Sequence, residues 1–165
     1  KKYKAKATFF CVGNNIEKHP EIFQQIIFNG HSIGNHTFNH LNGWKTKNRI
    51  YFDNIEKCQN AIHNFQIIKS SNRQIPLFRP PYGKLRPSQY SKLITQYSIV
   101  MWDVLSGDFD KNISKEKCLQ NVLKNYRNGS IIVFHDSIKA FPRLEYVLPR
   151  VLEYFSEGEF EFKSL

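Results

Sequence analysis

Two histidines four residues apart, His36 and His40, have a type and spacing that can do chemistry. If their loop makes one helical turn, two imidazoles come near one point, a common start for a zinc site. Residue 37 is Thr, so the His-Glu-x-x-His pattern of metalloproteases is absent. Two imidazoles alone are a weak signal, because a metal also needs a third ligand, usually a carboxylate, and a position for water. His135 follows the hydrophobic run Ile131-Ile132-Val133-Phe134 and precedes Asp136. It reads either as a hydrogen-bonded structural histidine or as a proton-transfer group. Arg79 stands before Pro80-Pro81-Tyr82-Gly83. The plain reading is a surface ion pair; the functional one is a guanidinium that holds a carboxylate. The prolines fix the backbone direction and leave the Tyr82 amide exposed. Asp103 and Asp108 follow Trp102, and either can orient a His or Arg or simply cap a loop.

Positioning these residues falls to an alternation of short apolar runs and amphipathic ones. Ala7–Val12, His31–Asn35, Leu77–Arg79, Ser98–Trp102 and Ser130–Phe134 read as strands. Helices are expected from Pro20 to just before Gly30, from Thr46 to Lys69, from Pro87 to Tyr97 and from Ser114 to Gly129. A last helix carries Leu144, Val147, Leu148, Val151, Leu152 and Phe155, kinked or restarted at Pro149, and residues 159–163 suit an edge strand. This βα spacing, with strands that look buried on both faces, predicts one domain over 1–165 with a parallel sheet or barrel wrapped by helices. In such folds chemistry gathers at the C-terminal ends of strands. His36 and His40, Arg79, Asp108 and His135 all fall at or just after strand ends, which favours a hydrolytic metal site.

With 41% hydrophobic and 15% aromatic residues, the chain has enough apolar surface for a core, which excludes disorder. No apolar run reaches the roughly 18 residues of a membrane span, so an integral membrane protein is excluded. The net charge of +10 suits an anionic partner, or simply a lysine-rich surface. The lysines are spread along the chain without a dense basic run, so no nucleic-acid partner is expected. Cys11, Cys58 and Cys118 are odd in number and widely spaced, which reads as buried thiols.

The motifs together resemble those of the polysaccharide deacetylases, carbohydrate esterases that remove acetyl groups from chitin, peptidoglycan and xylan. Ala7-Thr8-Phe9-Phe10 followed by Gly30-His31-Ser32-Ile33-Gly34-Asn35-His36-Thr37-Phe38-Asn39-His40 carries the first part of the resemblance. Arg79-Pro80-Pro81-Tyr82-Gly83 is similar to the family's Arg-x-Pro-Tyr segment. Asp108-Phe109 stands where the family has Asp-Trp, and Val133-Phe134-His135-Asp136 resembles its Leu-x-His motif. The resemblance implies a distorted, incomplete (β/α) barrel of fewer than eight strands. It also implies a divalent metal, usually Zn2+, held by an Asp and two histidines, here His36 and His40, with an acetylated glycan as substrate. His135 would be the general acid, Arg79 would orient the base, and Asp108 would hold Arg79 and tune His135. The Tyr82 N–H would help stabilise the oxyanion, while Phe109, Val133 and Pro81 would line the acetyl pocket.

One family motif, Thr-Phe-Asp-Asp-Gly, has no match here. It supplies the base and the carboxylate ligand together with the first strand, so the chain reads as an N-terminally truncated catalytic domain with little activity by itself. The alternative is a non-catalytic glycan-binding relative that keeps the groove. The resemblance points to the cell envelope or secretion, the unpaired cysteines lean to the cytoplasm, and oligomeric state is unreadable.

Overall fold

The computed structural model describes residues 2–65 and 75–165. They divide into two compact units, the larger of Lys6–Met101 with Lys163–Leu165, the smaller of Trp102–Phe162 with the first residues up to Ala5.

In the larger unit β1 (Thr8–Cys11), β2 (Ser32–Asn35), β3 (Leu77–Phe78) and β4 (Ser98–Ile99) lie side by side in that order. Every pair is parallel, which requires a crossover between successive strands. The crossovers carry α1 (Gly13–Lys18) and α2 (Pro20–Phe28), then α3 (Asn48–Phe65), then α4 (Pro87–Leu93). Pro20 occupies the first turn of α2, and Gly30, at φ 73°, follows its end. The apolar stripe of α3 feeds two clusters. Tyr51 and Ile55 pack with Phe78, Leu93 and Tyr97, while Cys58 and Ile62 pack with Ile16, Phe23 and Phe38. The expected extension of α3 over 66–69 lies outside the described residues.

Three sequence expectations change here. Helix α1 is additional: Gly13, Asn14 and Asn15 are weak helix formers, but the Gly13 and Asn14 N–H groups donate to the Thr37 and Phe38 carbonyls at 3.0 and 2.9 Å. Strand β1 is half-buried throughout rather than buried on both faces. The expected strand Ser98–Trp102 stops at Ile99.

In the smaller unit β5 (Val104–Leu105) pairs in parallel with β6 (Ile132–Val133), with α5 (Lys115–Leu123) between them and α6 (Phe141–Glu157) after them. The Ser114 hydroxyl accepts from the Lys117 N–H at 3.1 Å and caps α5. Val104, Cys118, Val122, Val147, Val151 and Phe155 form the core, where burial of a large apolar side chain contributes about 1.5–3 kcal/mol. Helix α6 runs through Pro149 without restarting. Pro149 has no N–H for the Glu145 carbonyl, and Arg150 Nη1 donates to the next carbonyl, Tyr146, at 2.8 Å. The expected strand over 159–163 does not form. Phe160 and Phe162 pack instead on Phe155, ring centroids 5.4 and 6.2 Å away, so apolar burial outweighs edge pairing.

No described helix is long and apolar enough to cross a membrane. No disulfide involves the three cysteines, and burial pushes the Cys58 and Cys118 thiols up to about 11, which keeps both protonated at neutral pH.

Candidate active site

In the larger unit β2 ends at Asn35 and delivers His36. The following loop is not helical. Left-handed residues at Thr37 (φ 61°) and His40 (φ 56°) turn the chain instead, a conformation that costs on the order of 1–3 kcal/mol for a non-glycine residue. Hydrogen bonds from three sides hold it. The buried Asn35 amide accepts from the Thr37 N–H at 2.9 Å and donates to the Ile55 carbonyl at 2.9 Å. Asn54 Oδ1 accepts from the Phe38 and Asn39 N–H groups, both at 2.9 Å. Thr37 Oγ1 accepts from the Leu41 N–H at 3.0 Å. The result sets the His36 and His40 rings 4.9 Å apart, edge to face, with Tyr82 a further 4.8 Å from His40.

His36 Nδ1 lies 2.6 Å from the Arg79 carbonyl. A carbonyl only accepts, so in the neutral ring Nδ1 carries the proton and Nε2 the lone pair. The Arg79 side chain is 9% exposed, which removes the surface ion-pair reading. Its Nε and Nη2 donate to the Val100 and Met101 carbonyls at 3.0 and 2.9 Å, and the guanidinium lies 4.0 Å over the Phe10 ring. Burial lowers its pKa to about 10, so the cation persists at neutral pH. Beyond it, Pro81 is buried and Tyr82 adopts φ 60°. The turn's own bonds run from the Gly83 N–H to Pro80 and from the Lys84 N–H to Pro81, so they do not use the Tyr82 N–H.

Asp108, Phe109, Val133 and His135 lie in the smaller unit. The Asp108 carboxylate is fully buried. It accepts from the His135 backbone N–H at 2.6 Å and pairs with its ring Nδ1 at 2.8 Å. The same tautomer logic therefore gives His135 an Nδ1–H and directs its chemistry to Nε2. Phe109 stands edge-on to that ring at 5.0 Å. Ile132 and Phe134 pack on the helix core; Val133, 7% exposed, alternates with them and lies outside that cluster. Asp103 has the capping role: it accepts from the Ser130 hydroxyl at 2.8 Å and the Ile131 N–H at 2.7 Å.

Some supports were not singled out from sequence. Asn54 and Arg143 are the clearest, each a polar residue beside the apolar stripe of its helix. Arg143 Nε donates to the Asp108 carbonyl at 2.6 Å, and Nη2 donates to the Lys139 carbonyl at 2.8 Å.

For a metal, His36 and His40 offer two imidazole donors, and the tautomer imposed by the Arg79 carbonyl suits ligation through His36 Nε2. That donor chemistry fits a borderline cation such as Zn2+. Among the described residues no group of three or more His, Cys, Asp or Glu is placed to hold one.

The sequence profile of the family described as polysaccharide deacetylase matches residues 1–101. A peptidoglycan-N-acetylglucosamine deacetylase of Bacillus cereus is 37% identical over 139 residues, which cover 83% of this chain and 48% of that protein. The chain thus spans about half the length of that relative. A solved peptidoglycan N-acetylglucosamine deacetylase superposes with a TM-score of 0.88 at 30% identity, over 99% of this chain and 75% of the other. A Bacillus anthracis pseudoenzyme of the same fold superposes with a TM-score of 0.78 at 22% identity, over 99% of this chain and 55% of the other. The α/β fold of incomplete-barrel type expected from the sequence is the fold these similarities show.

Proposed function

The chain belongs to the polysaccharide deacetylase family, and from that membership we propose that it is the catalytic domain of a hydrolase that removes N-acetyl groups from a polysaccharide or amino-sugar glycan. The observation that carries this reading is the Asp108–His135 pair. A carboxylate with no exposure holds both the backbone and the ring of a histidine whose side chain is 39% exposed. Such an imidazole is oriented, with Nδ1–H held by the carboxylate and Nε2 directed to chemistry; once Nε2 has taken up a proton, the ring can give it to a departing amine.

The remaining residues supply complementary parts of amide hydrolysis. His36 and His40 would hold a divalent cation, with Zn2+ the best match to their donors; when bound, it supplies Lewis-acid polarisation and an acidified water. Arg79 fixes the His36 ring through its carbonyl and the local backbone through its guanidinium. The Tyr82 N–H, left out of its own turn, is a donor for a developing oxyanion. Phe109, 36% exposed, offers apolar surface for an acetyl methyl, whereas Val133 and Pro81, expected to share that role, are buried.

The test is acetate release from N-acetylglucosamine oligomers and peptidoglycan fragments, by this chain and by the longest natural form containing it. Zinc affinity is titrated in parallel. His135→Ala should lower turnover about a hundredfold or more and leave zinc affinity unchanged, whereas His36→Ala and His40→Ala should each abolish zinc binding. Oligomer binding without acetate release from either form would favour the glycan-binding alternative.

A further inference from the structure

A cavity of about 310 Å³ opens between α3 and α4 of the larger unit. Ligand pockets run from about 300 to 1,000 Å³, so this one suits a small molecule and not a polymer. Phe52, Ile55 and Glu56 line it from α3, at the i, i+3 and i+4 spacing that shares one helix face. Lys92 and Leu93 line it from the end of α4. Gln96 and Tyr97 follow on the turn that continues α4, where the Tyr97 N–H donates to the Leu93 carbonyl at 2.8 Å. Tyr97 stands immediately before β4, toward the end of the sheet opposite to the one that delivers His36 and Arg79.

The floor of the cavity is apolar and its rim polar. Ile55 and Leu93 are each 2% exposed. Lys92 Nζ covers the Phe52 ring, 4.4 Å from its centroid, so apolar contact falls to Ile55, Leu93 and the Tyr97 ring. Tyr97 is 9% exposed, yet its hydroxyl has no hydrogen-bond partner among the described residues. Burial raises its pKa, followed by the nearby Cys58 and Glu56, which puts the Glu56 carboxylate on the side of that hydroxyl. No hydrogen bond joins the two, and neither Glu56 nor Lys92 forms an ion pair among the described residues. A buried hydroxyl without a partner is costly, and a ligand that bonds to it recovers that loss.

We propose that this cavity binds a small zwitterion with an apolar side chain, a free α-amino acid of about the size of leucine. The Glu56 carboxylate and the Tyr97 hydroxyl oxygen accept from its ammonium group. The Lys92 ammonium and the Gln96 amide N–H donate to its carboxylate. Its side chain lies on Ile55 and Leu93. One unpaired charge of each sign above a single apolar floor selects a ligand that carries both. The site shares no residue with the proposed active site and does not rest on the deacetylase reading.

The experiment is calorimetric titration of this chain with four probes, with NMR of the Ile55 and Leu93 methyl groups to locate the binding. L-Leucine should bind one-to-one and move both sets of methyl signals. Glycine, which lacks the apolar body, should bind about tenfold more weakly. So should two probes by about fivefold each: 4-methylpentanoate, without the ammonium, and L-leucinamide, without the carboxylate. Leucinamide also stands for the first residue of a peptide. Glu56→Gln should cost leucine about fivefold and 4-methylpentanoate nothing; Lys92→Gln should do the same to leucine and spare leucinamide. Both positions are exposed, so the fold is kept. Tyr97→Phe removes a hydroxyl that holds no bond and should weaken leucine about threefold. Absence of saturable leucine binding would mean that the cavity holds water alone and would overturn the proposal. Leucinamide binding as tightly as leucine would overturn it in favour of peptide amino termini, and affinity untouched by both charge variants would overturn it as well. Zinc affinity should be the same in every variant, so failure here leaves the deacetylase reading where it stood.

Discussion

Gly34 of β2 faces Phe10 of β1 in register, and a Cβ on Gly34 would lie 2.5 Å from the Phe10 ring. Phe10 is also the ring under the Arg79 guanidinium. The absence of one side chain at Gly34 therefore sets the position of an aromatic ring, and through it that of a buried cation beside the histidine loop.

Gly34→Ala should force the Phe10 ring to move and disturb the seat of Arg79. Overpacking of this kind costs about 1–3 kcal/mol. Urea denaturation measures it, and the double variant Gly34→Ala with Phe10→Leu should recover part of the loss. Full stability in the single variant would show that the ring can yield without cost.

Asp108→Asn should keep the volume of the buried carboxylate and remove its charge. Asp108 acts through His135, so it is a positioning residue, and the informative readout is the imidazole itself. Nitrogen NMR of the His135 ring should show the loss of a pure Nδ1–H tautomer, and turnover should fall with it. A ring spectrum identical to the parent's would contradict this role.

Tyr51 is fully buried, and its hydroxyl has no hydrogen-bond partner among the described residues. Its pKa is raised by the same burial. An unsatisfied buried polar group is costly, so Tyr51→Phe should stabilise the chain by about 1 kcal/mol. Thermal and urea midpoints should both rise; a fall in both would mean that the hydroxyl has a partner in solution.

Asp103 has a depressed carboxyl pKa, chiefly through the Ser130 hydroxyl and then through the Ile131 N–H. A carboxylate depressed in the folded state binds fewer protons there than in the unfolded chain. Its contribution is thus complete above the ordinary value of 3.8 and is lost as the pH falls below it through the folded-state pKa. Urea midpoints measured from pH 5 to pH 2.5 should drop less steeply in Asp103→Asn than in the parent. Equal slopes would show that Asp103 is not linked to folding.

The residue types and spacings that define the family were readable directly, because motifs are local. His36 and His40, Arg79 before its prolines and His135 after a hydrophobic run announce themselves by composition and by their place at strand ends. The parallel sheet was readable for a similar reason, since alternating apolar runs and amphipathic helices have few other ways to bury their faces. Element boundaries were less secure. Residues 159–163 carry a strand-like pattern that the aromatic cluster around Phe155 outbids, and α1 forms from poor helix residues because neighbouring carbonyls hold its start.

What composition and spacing left open, contacts between distant segments decided. Residue type and spacing alone leave Asp103 and Asp108 alike, and only the motif resemblance singles out Asp108; in the structure the first caps the Ser130–Ile131 backbone and the second holds His135. Arg79 looks like a surface cation until burial places it against two carbonyls and an aromatic ring. Trp44 looks like any aromatic until Leu85, Arg86 and Gln89 fix its turn. A side chain's chemistry belongs to its own residue, so sequence by itself determined which groups were present. Hydrogen-bond direction, burial and local charge belong to pairs of residues far apart in the chain, and only the tertiary structure decided those.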